Sequence, residues 1–281
     1  RIKGVRKKLF KELGFLIPAA HFRDHLDLAA STYRITLRGV AVGEAELVMG
    51  RELAIDPGGG TGALNGARVT DPVFGMESVW IEAAERTHAE SMGYTVVDAS
   101  TVIATHLNKL LVEHAHEVLG HDEVQHLLER LAQATPKLVE DLVLKVLPLH
   151  LLVRVAQNLL RDGVPITDMR TVVETLAEHA QTISDPGILT ARVRVALGRL
   201  IVQRICGNAD EINVITLDPN LEQILRDANR LADESGMNLE PGLAEKLQTA
   251  LLHAREGREQ AGDPPVMVVP ATLWPALSVF A

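Results

Sequence analysis

Aromatic residues are scarce in this 281-residue chain: two tryptophans, two tyrosines and five phenylalanines, 3% of the whole. An aromatic that stands outside a periodic element is therefore conspicuous. Cysteine is scarcer still. The single Cys206 excludes an intramolecular disulfide framework and fits a reducing compartment. Positive charge is in deficit, the formal net charge being −9, which argues against general nucleic-acid binding because phosphate contacts need clustered Lys and Arg. A net negative surface is compatible with protein partners or with plain solubility.

Long apolar runs are missing too. The most apolar stretch, Leu142 to Leu160, is interrupted by Lys145, Pro148, His150 and Arg154. A membrane span needs about 20 mostly apolar residues, so this stretch reads as buried helices despite a mean hydropathy of +0.10. Catalytic signatures are also lacking. No Gly-x-Ser-x-Gly motif occurs, and Cys206 falls between a predicted helix and Gly207. The glycines from Gly58 to Gly66 lack the Lys-Ser/Thr ending of a phosphate loop and read as a flexible connection.

What remains is an ordinary folded composition, 47% apolar and 23% charged, at a length that suits two or more domains. Ile2, Val5, Leu9 and Leu13 recur at helical spacing before Gly14. Tyr33 to Val40 alternates like a half-buried strand, and Glu46 to Ile55 reads as another. Ser78–Ile81 and Tyr94–Val97 are shorter strand patterns around a helix at Glu82–Met92. A long helix is predicted from Thr101 to Leu119, with Ser100 as its cap. Ile103, Leu107, Leu110, Leu111 and Val118 form its apolar stripe, and Thr101, Thr105 and Asn108 lie opposite.

From Asp122 to Arg204 the pattern is helical, with segments at Glu123–Gln133, Lys137–Val146, Leu149–Arg161, Asp168–Ala180 and Pro186–Arg204. A strand at Glu211–Leu217, helices at Pro219–Ser235 and Pro241–Glu256, a strand after Pro264-Pro265 and a helix at Ala271–Phe280 complete the chain. The reading is mixed α/β at both ends with a helical middle. Arg1 stands where a methionine would open a chain, inside the basic run Arg1, Lys3, Arg6, Lys7 and Lys8, so a fragment of a longer protein is expected.

Two clusters carry bland readings. His114, His116, His121 and His126 lie near Glu117, Asp122 and Glu123, but without the i, i+4 pairing of a zinc helix they read as surface or boundary histidines. The helix–turn–helix spacing around Gly163-Val164-Pro165 would present Asp168, Arg170, Glu174 and Glu178, a poor face for phosphates, and reads as packing. A metal- or nucleotide-dependent enzyme is the rival class, and no motif favours it. The informative segment is Thr70-Asp71-Pro72-Val73-Phe74-Gly75. It places a rare aromatic in a Pro/Gly turn beside a carboxylate, as a protein-recognition hot spot would. An inward-facing loop plug is the alternative.

Read in order, several stretches resemble the FlhA/InvA family of type III secretion export-gate proteins, the flagellar branch in particular. They include Leu13-Gly14-Phe15, His21-Phe22-Arg23-Asp24, Tyr33-Arg34-Ile35, the Thr70–Gly75 turn, Val79-Trp80-Ile81, Thr101–Leu107, Gln157–Leu160 and Asp168–Ala180. The resemblance implies a multi-subdomain mixed α/β cytoplasmic domain whose membrane helices are absent here. Residues 1–49 with 99–118 would form the first subdomain and 50–98 an inserted second. A helical third would span 119–198, and 199–281 a fourth, incomplete at its C-terminus. It further implies a ring of nine at the inner membrane that meets other export-apparatus proteins and receives flagellar export chaperones with bound late cargo. Their contacts would be Asp71, Phe74 and Thr105, with no enzyme activity, no cofactor and no metal. A virulence-type gate is the nearest alternative. Hinge motion at Gly58–Gly62 and at the subdomain junctions would gate docking.

Overall fold

The computed structural model describes residues 2–59, 62–140, 147–207, 209, 211–230 and 239–278. The chain divides into two compact units, Arg1–Val124 and Gln125–Ala281, and its architecture is mixed helix and sheet.

In the first unit, helix α1 (Ile2–Leu13) buries Leu9 and Leu13 and leaves Lys7, Lys8 and Lys11 in solvent. The expected Tyr33–Val40 strand is two strands. β1 (Thr32–Leu37) turns at Arg38 and Gly39, whose φ angles are +51° and +86°, and returns antiparallel as β2 (Val40–Glu46). Positive φ at both central residues makes the tight hairpin turn whose twist matches its strands. Arginine rarely takes that conformation, so sequence gave little warning.

A four-stranded antiparallel sheet follows, in the order β4-β5-β3-β6. It comprises β3 (Arg51–Ile55), β4 (Ala67–Thr70), β5 (Glu77–Glu82) and β6 (Thr95–Asp98). β4 has no counterpart in the sequence reading because all four of its residues are exposed at the sheet edge, which leaves no period-two signal. Ser78–Ile81 of β5 are buried in succession because both faces of the sheet are covered. One face packs Ala54, Val79 and Ile81 with Ala89 of α2 (Arg86–Ser91). The other packs Leu53 and Trp80 with Val102 of α3 (Ala99–Glu113). Arg86 clamps α2 to β3 by donating from Nε and Nη2 to the two carboxylate oxygens of Glu52, at 2.9 and 2.7 Å.

Helix α3 starts two residues earlier than expected. Its cap is Asp98, which accepts from Thr101 N at 2.7 Å, rather than Ser100. Its buried residues are Val102, His106, Leu107 and Leu110, while Ile103 and Leu111 are only half-buried. The stripe is rotated because α3 packs on the sheet and on α1 together. It ends at His114, and Val118 belongs to a separate short helix, α4 (Ala115–Val118).

Helix α5 (His121–Ala134) leads into the second unit. Of the expected Lys137–Val146 helix only the start, α6 (Pro136–Leu138), is a described helical element; residues 141–146 lie outside the described residues. Next come α7 (Leu149–Arg161), α8 (Met169–His179) and α9 (Pro186–Ala196), with α7 and α8 packed on α9. Leu152, Val155, Leu159, Val172, Leu176, Leu189 and Val193 are buried there. Val164 of the α7–α8 turn is buried as well, the packing role expected of Gly163-Val164-Pro165. Asp168 and Asp185 cap α8 and α9 by accepting from Thr171 N and Ile188 N.

The expected Pro186–Arg204 helix breaks at Leu197, before the weak helix former Gly198, and resumes as α10 (Gly198–Cys206). Then come β7 (Val214–Thr216), α11 (Pro219–Arg230), α12 (Pro241–Gln260), β8 (Val266–Val268) and α13 (Trp274–Leu277). The expected ends at Ser235 and Phe280 lie outside the described residues. β7 and β8 pair in parallel over a core of Leu225, Leu247, Leu273 and Leu277. Arg194 ties α9 to α13, its guanidinium 4.3 Å above the Trp274 ring and 3.6 Å from Asp162. Burial pushes the Asp162 carboxyl up, against the pull of Arg194. Among the described residues no helix is long and apolar enough to cross a membrane.

Candidate functional site

The turn between β4 and β5 is built by its own residues. Pro72 has no N–H for a strand ladder, and Gly75 takes φ +70°, a conformation that suits glycine. Asp71 N donates to Met76 O at 2.8 Å and Gly75 N to Asp71 O at 3.0 Å, closing the loop. The Asp71 side chain accepts through Oδ2 from Phe74 N at 2.6 Å and Val73 N at 3.2 Å. Its residue is only 2% exposed. Phe74, by contrast, is 63% exposed, with Val69 and Met76 exposed nearby in sequence. Phe74 therefore faces outward on a turn held by its own carboxylate and is not an inward plug.

Helix α3 reaches the turn through Lys109, whose ammonium donates to Val73 O at 2.5 Å. Thr105 lies one helical turn earlier, on the same side as Lys109. Its hydroxyl donates to Thr101 O at 2.9 Å, leaving oxygen lone pairs for another donor. The three sequence-predicted residues thus fall on two adjoining elements, but with different exposure: Phe74 exposed, Thr105 half-buried and Asp71 buried.

Beneath the turn lies a pair that sequence reasoning missed. The Tyr33 hydroxyl and His106 Nδ1 are 2.7 Å apart, with their rings edge to face. The Tyr33 hydroxyl is pushed up to about 12, first by burial and then by the Asp71 charge. His106 is buried, and Gly43 makes room for it: a Cβ there would stand 2.9 Å from His106 Nε2. Burial first, and then Lys109, lower the His106 pKa below its ordinary value of 6.5, while Asp71 and Glu113 pull the other way. The folded state therefore prefers neutral His106.

The contribution of His106 to stability is complete above pH 6.5 and is lost as pH falls from there toward its lower folded value. A melting-temperature series between about pH 8 and 5 should show that acid loss, and it should be shallower in His106→Gln. Equal slopes would remove His106 as its source.

The remaining clusters behave locally. Glu117 lies 2.7 Å from His114 Nδ1 and 3.9 Å from His116 Nε2, and the hydrogen bond from His114 holds its carboxyl below the usual range. His121 and His126 are exposed on α5. Among the described residues no group of three or more His, Cys, Asp and Glu side chains could hold a metal ion. Of the Gly58–Gly62 loop, where hinge motion was expected, residues 60 and 61 lie outside the described residues. Asp56 accepts from Gly58 N and Gly59 N, and the Tyr94 hydroxyl donates to Gly62 O at 3.0 Å.

A small antiparallel sheet presenting this turn, with a helical bundle and a short parallel α/β layer in the second unit, is the fold of type III secretion cytosolic domains. The CdsV protein of Chlamydia pneumoniae matches with a TM-score of 0.80 at 24% identity, over 99% of this chain and 80% of that one. The nonameric EscV cytosolic domain from the type III secretion system matches with a TM-score of 0.67 at 23% identity, over 90% of this chain and 75% of that one. At these identities the likeness shows the fold.

Family membership comes from sequence. The model of the FHIPEP family matches residues 1–281, and the chain belongs to that family. It is 50% identical over 280 residues to the flagellar biosynthesis protein FlhA of Escherichia coli (strain K12), and 48% identical to that of Salmonella typhimurium. These matches cover all of this chain and 40% of each relative, so the chain spans well under half the length of the curated relatives it matches.

Proposed function

We propose that this chain is the docking platform of a flagellar type III protein export gate, receiving export chaperones with bound late cargo and passing the cargo to a membrane channel. The observation that carries the reading is Phe74, 63% exposed on a turn whose amides are bound by its own Asp71. A large apolar side chain held outward by a rigid support is what a partner can bury at little entropic cost.

The flagellar branch is supported by identities of 50% and 48% to FlhA proteins, against 24% to CdsV. In this reading the chain hangs from the inner membrane by helices outside its sequence and assembles into a ring of nine, as the nonameric solved relatives do. The reading includes four subdomains as a proposal: residues 1–49 with 99–118, then 50–98, 119–198 and 199–281. Docking is recognition, and it uses no cofactor.

Calorimetric titration with a purified flagellar export chaperone bound to its cargo tests the reading, beside a chaperone from a virulence secretion system. Binding of the flagellar complex alone is expected. Binding only to the virulence chaperone would move the chain to that branch, and binding to neither would remove the docking role.

A further inference from the structure

We propose that Asp71 and Lys109 are positioning residues that fasten the Phe74 turn from within and from α3, and that neither touches the docking partner. The inference rests on the docking reading of Phe74. It departs from the expectation that Asp71 is itself a contact.

The Asp71 side chain is 2% exposed. Oδ2 is spent on the amides of Val73 and Phe74, and Oδ1 is buried without a hydrogen-bond partner among the described residues, so neither oxygen stands open to a docking protein. With Asp71 N and Gly75 N also bonded inside the loop, the turn is internally closed. A closed loop on two strand ends can still rock as a body. Lys109 removes that freedom, because its ammonium holds the carbonyl of Val73, the buried residue directly before Phe74. Charge-assisted bonds of this kind are about twice as strong as neutral ones.

Lys109 also pairs with Glu113 at 3.7 Å, which steadies its head group on α3. Since Thr105 stands one turn before Lys109, the same bond fixes the spacing between Phe74 and Thr105. Asp71 thereby sets the shape of the turn, and Lys109 sets its place against the helix.

The test combines amide hydrogen exchange, which needs no partner, with titration by a purified flagellar chaperone–cargo complex. It uses the full 281-residue chain. In Lys109→Met, exchange at the Phe74 and Gly75 amides should rise about tenfold and affinity should fall about tenfold. The β5 amides should stay protected, and Lys109→Arg should restore both readings to within about threefold. Asp71→Asn, which keeps the accepting oxygen, should stay within about threefold of wild type, whereas Asp71→Ala should lose both.

Wild-type exchange and affinity in Lys109→Met would overturn the role of Lys109. Asp71→Asn that binds as weakly as Asp71→Ala, with exchange unaltered, would make Asp71 a charge contact and overturn its role. A wild type that binds no complex, with exchange changing as expected in the variants, supports the fastening and sinks the docking reading instead.

Discussion

Phe74→Ala is expected to lower affinity for a flagellar chaperone–cargo complex about thirtyfold while leaving the melting temperature unchanged. A phenylalanine side chain offers up to about 200 Å² for burial, and Phe74 keeps 63% of its surface in solvent. That leaves roughly 100–150 Å² for a partner, or about 2.5–4 kcal/mol as an upper bound before the cost of ordering the contact. A net loss of about 2 kcal/mol is the threshold of a hot spot and corresponds to the thirtyfold figure. Stability should not move, because so exposed a ring contributes little to the fold. Titration of the variant beside wild type, with a thermal melt of each, reads both halves. Equal binding by the variant would leave a platform whose contact lies elsewhere.

The second large effect is structural. At Gly66 the backbone takes φ +156° and runs against β5, so that a Cβ there would stand 2.3 Å from Trp80 O and 2.8 Å from Val79 Cγ1. No side chain can move to relieve a clash with a backbone carbonyl. Gly66→Ala should therefore force β4 off β5, at a cost of about 3 kcal/mol or more from backbone strain and overpacking together. Calorimetric melting should fall by roughly 10 °C, and chaperone binding should weaken as well because β4 is one support of the Phe74 turn. A melting point within about 2 °C of wild type would show that the strand pair accommodates the methyl group.

Much of the fold was legible because local physics wrote it. The end of α1 at Gly14, the whole of α7 and the start of α9 at Pro186 follow from periodicity and capping chemistry. The failures have physical causes of other kinds. Val40 was assigned to the wrong strand because an arginine at positive φ carries no turn signal. Asp98 rather than Ser100 caps α3, and two residues two positions apart that can both cap are not ranked by sequence alone.

The α3 stripe was placed off its true face because burial there is decided by the sheet, which periodicity within the helix cannot see. At the candidate site the Pro/Gly setting marked Phe74 as a loop aromatic but left its outward or inward orientation open, and the family resemblance favoured the outward one. The burial of Asp71 and the roles of Lys109, His106 and Tyr33 were not legible, since each depends on contacts between segments distant in sequence.

The parallel pairing of β7 with β8 also sets an order of events during synthesis. Among the described residues the partner of Val214–Thr216 is Val266–Val268, which leaves the ribosome after the whole of α11 and α12. The antiparallel sheet of the first unit has all its strands by Asp98. Non-local pairings of the β7–β8 kind form slowly because loop closure precedes any reward from contact. The surface that carries Phe74 is thus finished while the far end of the chain is still being made, and a nascent chain stalled before β8 would already display it.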